Sequence, residues 1–499
     1  MPAPSANAAD RPFPGRASSA HRPHPTARLV LAAVLAGLAA GFIGIAMAYL
    51  LEAFEWLFYG VAHGTLPERV AAAPAWRRVA APAAAGLVAG ALWWWQRATG
   101  AVVSVEAVVA EAGAPRPVGP PAPVTPATPA TPAASTHAAE PAQGPTSTPT
   151  SPTPTTPASA TPPPTSPPQT NPAQPASQRI GLLRPFGDAV VQVLTVGGGN
   201  SVGREGAPRL AAGAVAVRLA RWLGLEPQWM ALLAASAAGA GLAAMYNAPL
   251  GGAAYAVEIM MLAGTRRRGL ALAAPVSVLA TCVSWLHSHA EASIAMPAST
   301  LTWPTLAASL LVVVAAGLAG VAARALWAWA RRHRLPDGWS LPLAIAGAGT
   351  LTGLASLWLT VLPGNGKDAF QAAVSSPVTT TAVLSLVGVV ILKPVLTAAT
   401  LGAGATGGLL APSFSLGASV GAAVALGLMF AGVTVSVPAM ALVGAGVTLA
   451  VTQRAPWFAA VFVWELAQGP VWTLGVLVVG CLAAGEAERA WARRQTARR

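Results

Sequence analysis

The chain has 499 residues, of which 54% are hydrophobic and only 9% charged. A soluble protein of this size needs more charge than that to cover its surface, so the composition excludes an ordinary soluble domain and indicates a polytopic membrane protein. The formal net charge of +13 does not indicate nucleic acid, because the arginines sit in polar ends and loops and form no continuous basic face.

Residues 1–27 are rich in Pro, Ala, Arg and His and lack the apolar core and small-residue cleavage site of a signal peptide, so a disordered tail is expected. Residues 28–112 hold the first transmembrane helices, with ARLVLAAVLAGLAAGFIGIAMAYLL (27–51) and VAAPAAAGLVAGALWWW (79–95) as the leading apolar runs. Residues 113–178 are nearly all Pro, Thr, Ser and Ala, a composition that cannot pack a core and reads as a disordered linker with no chemistry of its own. The rest of a first transmembrane half is expected over 179–335, a second half over 336–488, and a basic tail over 489–499. Counting apolar runs against the ~20 residues that cross a bilayer gives roughly ten spans and several shorter pieces. Arginines cluster before the first span, at 266–268, at 331–334 and in the last residues. The positive-inside rule then puts both termini in the cytoplasm, although Arg77, Arg78, Arg218 and Arg221 run against a clean assignment. Cys282 and Cys481 lie far apart in apolar segments, which indicates neither a disulfide framework nor a metal site, and core thiols are expected.

An internal repeat organises the apolar part. YNAPLGGAAYAVEIM (246–260) and QRAPWFAAVFVWELA (453–467) share an Ala-Pro pair followed nine residues after the proline by a glutamate, Glu258 and Glu465. Upstream of each lies a glycine-rich segment that also ends in Ala-Pro, GGGNSVGREGAP (197–208) and GAGATGGLLAP (402–412). The intervals from Pro208 to Pro249 and from Pro412 to Pro456 are 41 and 44 residues. Two halves of one plan, each with glycine-interrupted short helices, form the pattern of an inverted-repeat transporter whose site lies where broken helices meet.

Glycine-rich backbone in a membrane is tolerated only around a protein-lined cavity, because unsatisfied N–H and C=O groups cost several kcal/mol in lipid. Helices are expected to start close to Gly206 and Pro412, and their free amides and positive dipole ends would form an anion site without a full positive charge. Glu205, ionisable and inside this apolar region, is then a functional candidate, with a structural ion pair to Arg204 as the competing reading. Arg204 is expected to bond backbone carbonyls around the broken helix. Glu258, Arg454 and Glu465 are explained by helix capping and interhelical pairing. No cofactor motif and no metal cluster is present in the sequence, and an intramembrane enzyme would need a second convergent acid, base or nucleophile beside Glu205. A carboxylate or phosphate transporter would need an arginine or lysine aimed at the larger anion.

GREGAP, YNAPLGGAAYAVE and GGLLAPSFSLGASVGA, in this order, resemble the CLC chloride channel and chloride/proton antiporter family over about residues 28–488 apart from the linker. The resemblance implies an all-α inverted-repeat fold with broken, re-entrant helices, a homodimer with one anion path per subunit, and a bacterial plasma-membrane location. It makes Glu205 the gating glutamate, whose carboxylate mimics an anion and leaves when protonated, with Gly203, Arg204 and Gly206 framing it. Leu409, Leu410 and Ala411 match the stretch whose backbone amides contact the central anion, with leucine replacing the usual phenylalanine. Lys393 resembles a basic residue with a structural or field-shaping role, and PGNGKDAF (363–370) an extracellular turn. Three departures stand out. The family's first motif has no clear counterpart, leaving Ser104 as a candidate substitute for its anion-holding serine. The last family helix with its tyrosine, and a regulatory domain beyond it, are not expected. Ile259 occupies the position of the antiporters' internal proton relay, which favours passive or loosely coupled chloride conduction, with proton exchange as the alternative.

Overall fold

The computed structural model describes residues 25–100, 103–114, 181–261 and 263–497. The Pro-rich segment at 115–178 and most of the N-terminal tail lie outside the described residues, and so does any test of the linker reading. Among the described residues the secondary structure is helical, with one isolated pair of backbone bridges.

The helices run in two series of similar order. The first is α1 (Pro25–Tyr59), the short α2 (Leu66–Ala72), α3 (Ala75–Ala98), α4 (Val105–Gly113), α5 (Leu183–Gly197), α6 (Gly206–Trp222), α7 (Pro227–Tyr246), α8 (Pro249–Tyr255) with a π-helical turn at Ala256–Met260, and α9 (Arg266–Ser288). The second is α10 (Trp303–Arg332), α11 (Leu341–Ser356), α12 (Lys367–Val374), α13 (Thr380–Gly402), α14 (Leu410–Phe430), α15 (Val437–Gln453), α16 (Pro456–Ala467) and α17 (Val471–Ala497). Each series opens on a long helix of 35 or 30 residues. Each also has a short fourth-quarter-length piece, α4 with 9 residues and α12 with 8. The repeat therefore restarts at α10, ahead of the expected division at 335/336. Likewise α4 takes in Gly113, and α17 carries the helix through the arginines expected to form a C-terminal tail.

Seven helices are long and apolar enough to cross a membrane, and three shorter apolar helices accompany them among the described residues. The peripheral helices α1 and α10 leave most of their surface outside the bundle, and Leu310, Val314 and Leu318 of α10 expose one apolar face at four-residue spacing. Such a face suits hydrocarbon and would be unfavourable in water. Cys282 also lies on the outer surface of the bundle, contrary to the expected core position, whereas Cys481 is buried. By contrast α7 and α15 are enclosed, which their run of Ala and Gly permits. At Gly417 and Gly444, where α14 crosses α15, a Cβ on either residue would fall 2.1 Å from the other's carbonyl oxygen.

The repeat is built into the caps. Asn247 and Arg454 both end their helices in left-handed backbone, and Pro249 and Pro456 then open the next ones, where a missing N–H costs nothing. The Glu258 carboxylate accepts from the Phe458 amide at 2.6 Å and from the Trp457 amide at 3.4 Å, capping α16. Glu465 at the other end of α16 returns the contact, accepting from the Leu250 and Gly251 amides of α8 at 3.0 and 2.7 Å. Each carboxylate meets the positive end of the other's helix dipole.

Candidate functional site

The first turns of α6 and α14 converge through their glycine-rich approaches. Gly203 N–H donates to the Gly408 carbonyl at 2.9 Å, and Gly408 N–H donates to the Gly203 carbonyl at 2.8 Å. This pairing satisfies backbone groups that have no helix to join, inside the bundle where no water would serve them. Glycine at both positions makes room for the Glu205 carboxylate: a Cβ on Gly203 would lie 2.2 Å from Glu205 Oε2, and one on Gly408 would lie 2.3 Å from Glu205 Oε1.

Between these glycines sits Glu205, fully buried, at the N-cap of α6. Its side chain does not cap its own helix. Oε1 reaches across to α14 and accepts from the Leu410 amide at 2.6 Å and the Ala411 amide at 3.3 Å, while Oε2 is buried without a donor. A carboxylate therefore occupies the place where a helix N-terminus presents free amides to an anion. Neutralising the carboxylate removes its charge from those amides and leaves them available to another small anion.

The other sequence-derived candidates are placed differently. Leu409, Leu410 and Ala411 are at the site, Leu409 as the N-cap of α14 and the other two through their amides. Gly206 starts α6 against Gln192, whose Oε1 would be 2.4 Å from a Cβ there. Arg204 is half-buried with its Nε unpartnered, and it makes neither the carbonyl bonds nor the ion pair to Glu205 considered from the sequence. The arginine that bonds a carbonyl is Arg209, one turn into α6: its Nε donates to the Glu205 carbonyl at 2.6 Å and its Nη1 to Tyr255 Oη at 2.6 Å. An arginine four residues after a buried glutamate in an apolar helix was the available signal. Ser104 is exposed and caps α4 by accepting from the Ala107 amide at 3.1 Å. That bond places it at the start of α4.

Ile259 is half-buried in the π-helical turn and packs into the core of the second series. Lys393 is fully buried and donates to the Leu362 and Gly364 carbonyls, both at 2.7 Å, which fixes the turn before α12. In that turn Asn365 Nδ2 donates to Tyr246 Oη at 3.3 Å. No group of metal-ligating side chains occurs among the described residues.

The sequence profile of the family described as voltage gated chloride channel matches residues 170–487. The voltage-gated ClC-type chloride channel ClcB of Escherichia coli O17:K52:H18 (strain UMN026 / ExPEC) is 29% identical over 308 residues, covering 60% of this chain and 72% of the relative. ClcB of Escherichia coli O9:H4 (strain HS) has the same identity and coverage. Among solved structures, a slow cyanobacterial Cl−/H+ antiporter is similar with a TM-score of 0.66 and 20% identity, over 93% of this chain and 95% of that one. A CLC-type fluoride/proton antiporter follows at a TM-score of 0.64 and 18% identity, over 93% and 96%. These two likenesses establish the fold.

Proposed function

The chain belongs to the voltage-gated chloride channel family, whose work is anion transport across membranes, and from that premise we propose that it conducts chloride or a similar small monovalent anion under the control of Glu205. The observation that carries this is the Glu205 carboxylate on the Leu410 and Ala411 amides. In this reading the gate closes when the carboxylate holds the amides and opens when a proton neutralises it. The anion then meets partial charges and no full cation in direct contact, so it binds and leaves again. The protein works as a homodimer in a bacterial plasma membrane with both termini in the cytoplasm.

Conduction is passive or loosely coupled to protons. The support is local: Ile259 offers no exchangeable proton, and its neighbour Glu258 is engaged with the α16 amides. A bare proton crossing apolar protein without a carrier costs several kcal/mol. Obligatory exchange is the second reading, favoured by the antiporter activity stated for both structural neighbours. The test uses purified protein in liposomes with a chloride gradient and no initial pH gradient. Robust chloride flux without uphill proton movement supports passive conduction. Protons driven uphill at a fixed ratio overturn it and establish exchange, and absence of anion flux overturns both readings.

A further inference from the structure

Arg209 stands where an apolar helix would be expected to carry no charge, and none of the functions above uses it. It is half-buried and takes part in no salt bridge among the described residues. Its bonds go to neutral oxygens: the Glu205 carbonyl and the Tyr255 hydroxyl, each at 2.6 Å, with the guanidinium 5.0 Å from the Tyr255 ring centroid. Tyr255 Oη in turn donates to Met260 Sδ at 3.4 Å. The side chain thus links the backbone of the gate residue to the π-helical turn that carries Ile259.

A cation in an apolar setting without a bonded counterion is costly, and cations in such settings mark ion pathways and functional charge pairs. The other ionisable groups on elements packed against α6 have their own settings. On α1, Glu55 lies 3.8 Å from Arg69 and Glu52 lies 3.7 Å from His287. On α4, Glu111 pairs with Arg221 at 2.5 Å, and Glu106, exposed in the first turn, makes no bond to Arg209 but lies close enough to act on it and on Tyr255 electrostatically. On α5, Asp188 accepts from Trp93 Nε1 and Gln192 Nε2 at 2.7 and 2.6 Å. From α7 the group is Tyr246, bonded to Asn365, and α14 contributes no ionisable side chain at all. The Arg209 guanidinium is tied to the backbone of Glu205 itself, whereas Arg331 Nη2 reaches the Gly407 carbonyl in the approach to α14 at 3.5 Å.

We propose that Arg209 is the fixed countercharge of the gate: it favours negative charge at the start of α14, whether carboxylate or permeant anion, and repels protons approaching Glu205 from the Ile259 side. This rests on the gate reading of Glu205 and deepens it. The same positive field favours two competitors for one pair of amides, so the gate closes tightly at neutral pH without a cation in the anion's path. It also explains how proton traffic is kept low on that side.

The experiment compares wild type, Arg209→Gln, Arg209→Lys, Glu205→Gln and the Glu205→Gln/Arg209→Gln double variant, all as full chains in liposomes. Chloride efflux is measured against pH, and chloride binding by calorimetry in detergent. An opposite charge within about 4–6 Å of a carboxylate shifts its titration by about 1–3 pH units, and Arg209, bonded to the Glu205 carbonyl, is expected to act at the low end of that range. Arg209→Gln is therefore expected to move the acid-activation midpoint up by about one pH unit and to weaken chloride binding about tenfold, while Arg209→Lys keeps the wild-type midpoint. In the Glu205→Gln background the arginine change should still weaken chloride binding but move no midpoint. An unchanged midpoint and affinity in Arg209→Gln, or equal shifts in Arg209→Gln and Arg209→Lys, overturn the countercharge and leave a structural hydrogen-bonding role. Wild-type pH dependence in Glu205→Gln sinks the gate reading instead, and the countercharge then stands or falls on chloride affinity in the double variant. Arg209→Met replaces Arg209→Gln if the latter does not fold.

Discussion

Replacing Glu205 by glutamine tests the proposed gate where its carboxylate meets the α14 amides. The carboxylate accepts from Leu410 N–H at 2.6 Å and from Ala411 N–H at 3.3 Å in a fully buried setting, so solvent does not screen the charge. A hydrogen bond to a charged acceptor contributes about 1.5–3 kcal/mol and a neutral one about 0.5–1.5 kcal/mol. The helix dipole adds about 0.5–1 kcal/mol for a charge at its N-terminus, which a neutral amide forgoes. The difference is about 2 kcal/mol, so glutamine competes for the amides about 30-fold less well than the carboxylate. Glu205→Gln should therefore pass chloride at neutral pH near the rate wild type reaches only in acid, and its flux should no longer depend on pH. Chloride efflux from liposomes, followed with a chloride electrode from neutral to mildly acid pH, measures both. A Glu205→Gln protein that keeps the wild-type pH response would refute the competition argument, because the group that titrates would then lie elsewhere.

Two further substitutions probe the frame around that contact. Gly408→Ala puts a Cβ 2.3 Å from Glu205 Oε1, so the carboxylate must leave the α14 amides; neutral-pH flux should rise and the pH response flatten in the same efflux assay. An unaltered response would show that the carboxylate does not rest there. Lys393→Met removes the Nζ donor that bonds both the Leu362 and the Gly364 carbonyl at 2.7 Å, leaving two buried carbonyls unpaired, and should cost about 1–3 kcal/mol. Thermal unfolding in detergent should show the loss as a Tm lower by several degrees, with an unchanged Tm counting against the structural role.

The broken helices were legible because they violate a local rule. Glycine runs and Ala-Pro pairs inside apolar segments cannot be ordinary spans, and a sequence that breaks such a rule marks a site. Helix starts near Gly206 and Pro412 and the candidacy of Glu205 followed from that reasoning, as did the capping glutamates, whose equal distances from Pro249 and Pro456 reflect the repeat; Gly203, Gly206, Leu409, Leu410 and Ala411 came from the family resemblance. Pairings across the repeat were not legible. Gly203 and Gly408 bond each other from 205 positions apart, and nothing local to either names its partner. Ser104 shows the converse, since its hydroxyl meets the need of its own helix at Ala107, and a cap looks the same in sequence whether or not an ion is near.

The two arginines separate what pattern can and cannot supply. Arg204 precedes the helix start, where chain direction is irregular and no periodicity fixes the side chain. Arg209 lies four residues after Glu205, and in a helix that begins at Gly206 a side chain at this spacing leans back over the preceding turn, onto the carbonyl of Glu205. Its contact was thus determined by the register of one helix start. Sequence reading placed that start only as close to Gly206, and an error of one residue there rotates every later side chain by about 100 degrees. The Gly203–Gly408 backbone pair holds the chain three residues upstream of α6. The chain is thus held just before α6 by a contact that the sequence did not name, and Arg209, which the sequence reading passed over in favour of Arg204, is the arginine that bonds the Glu205 carbonyl.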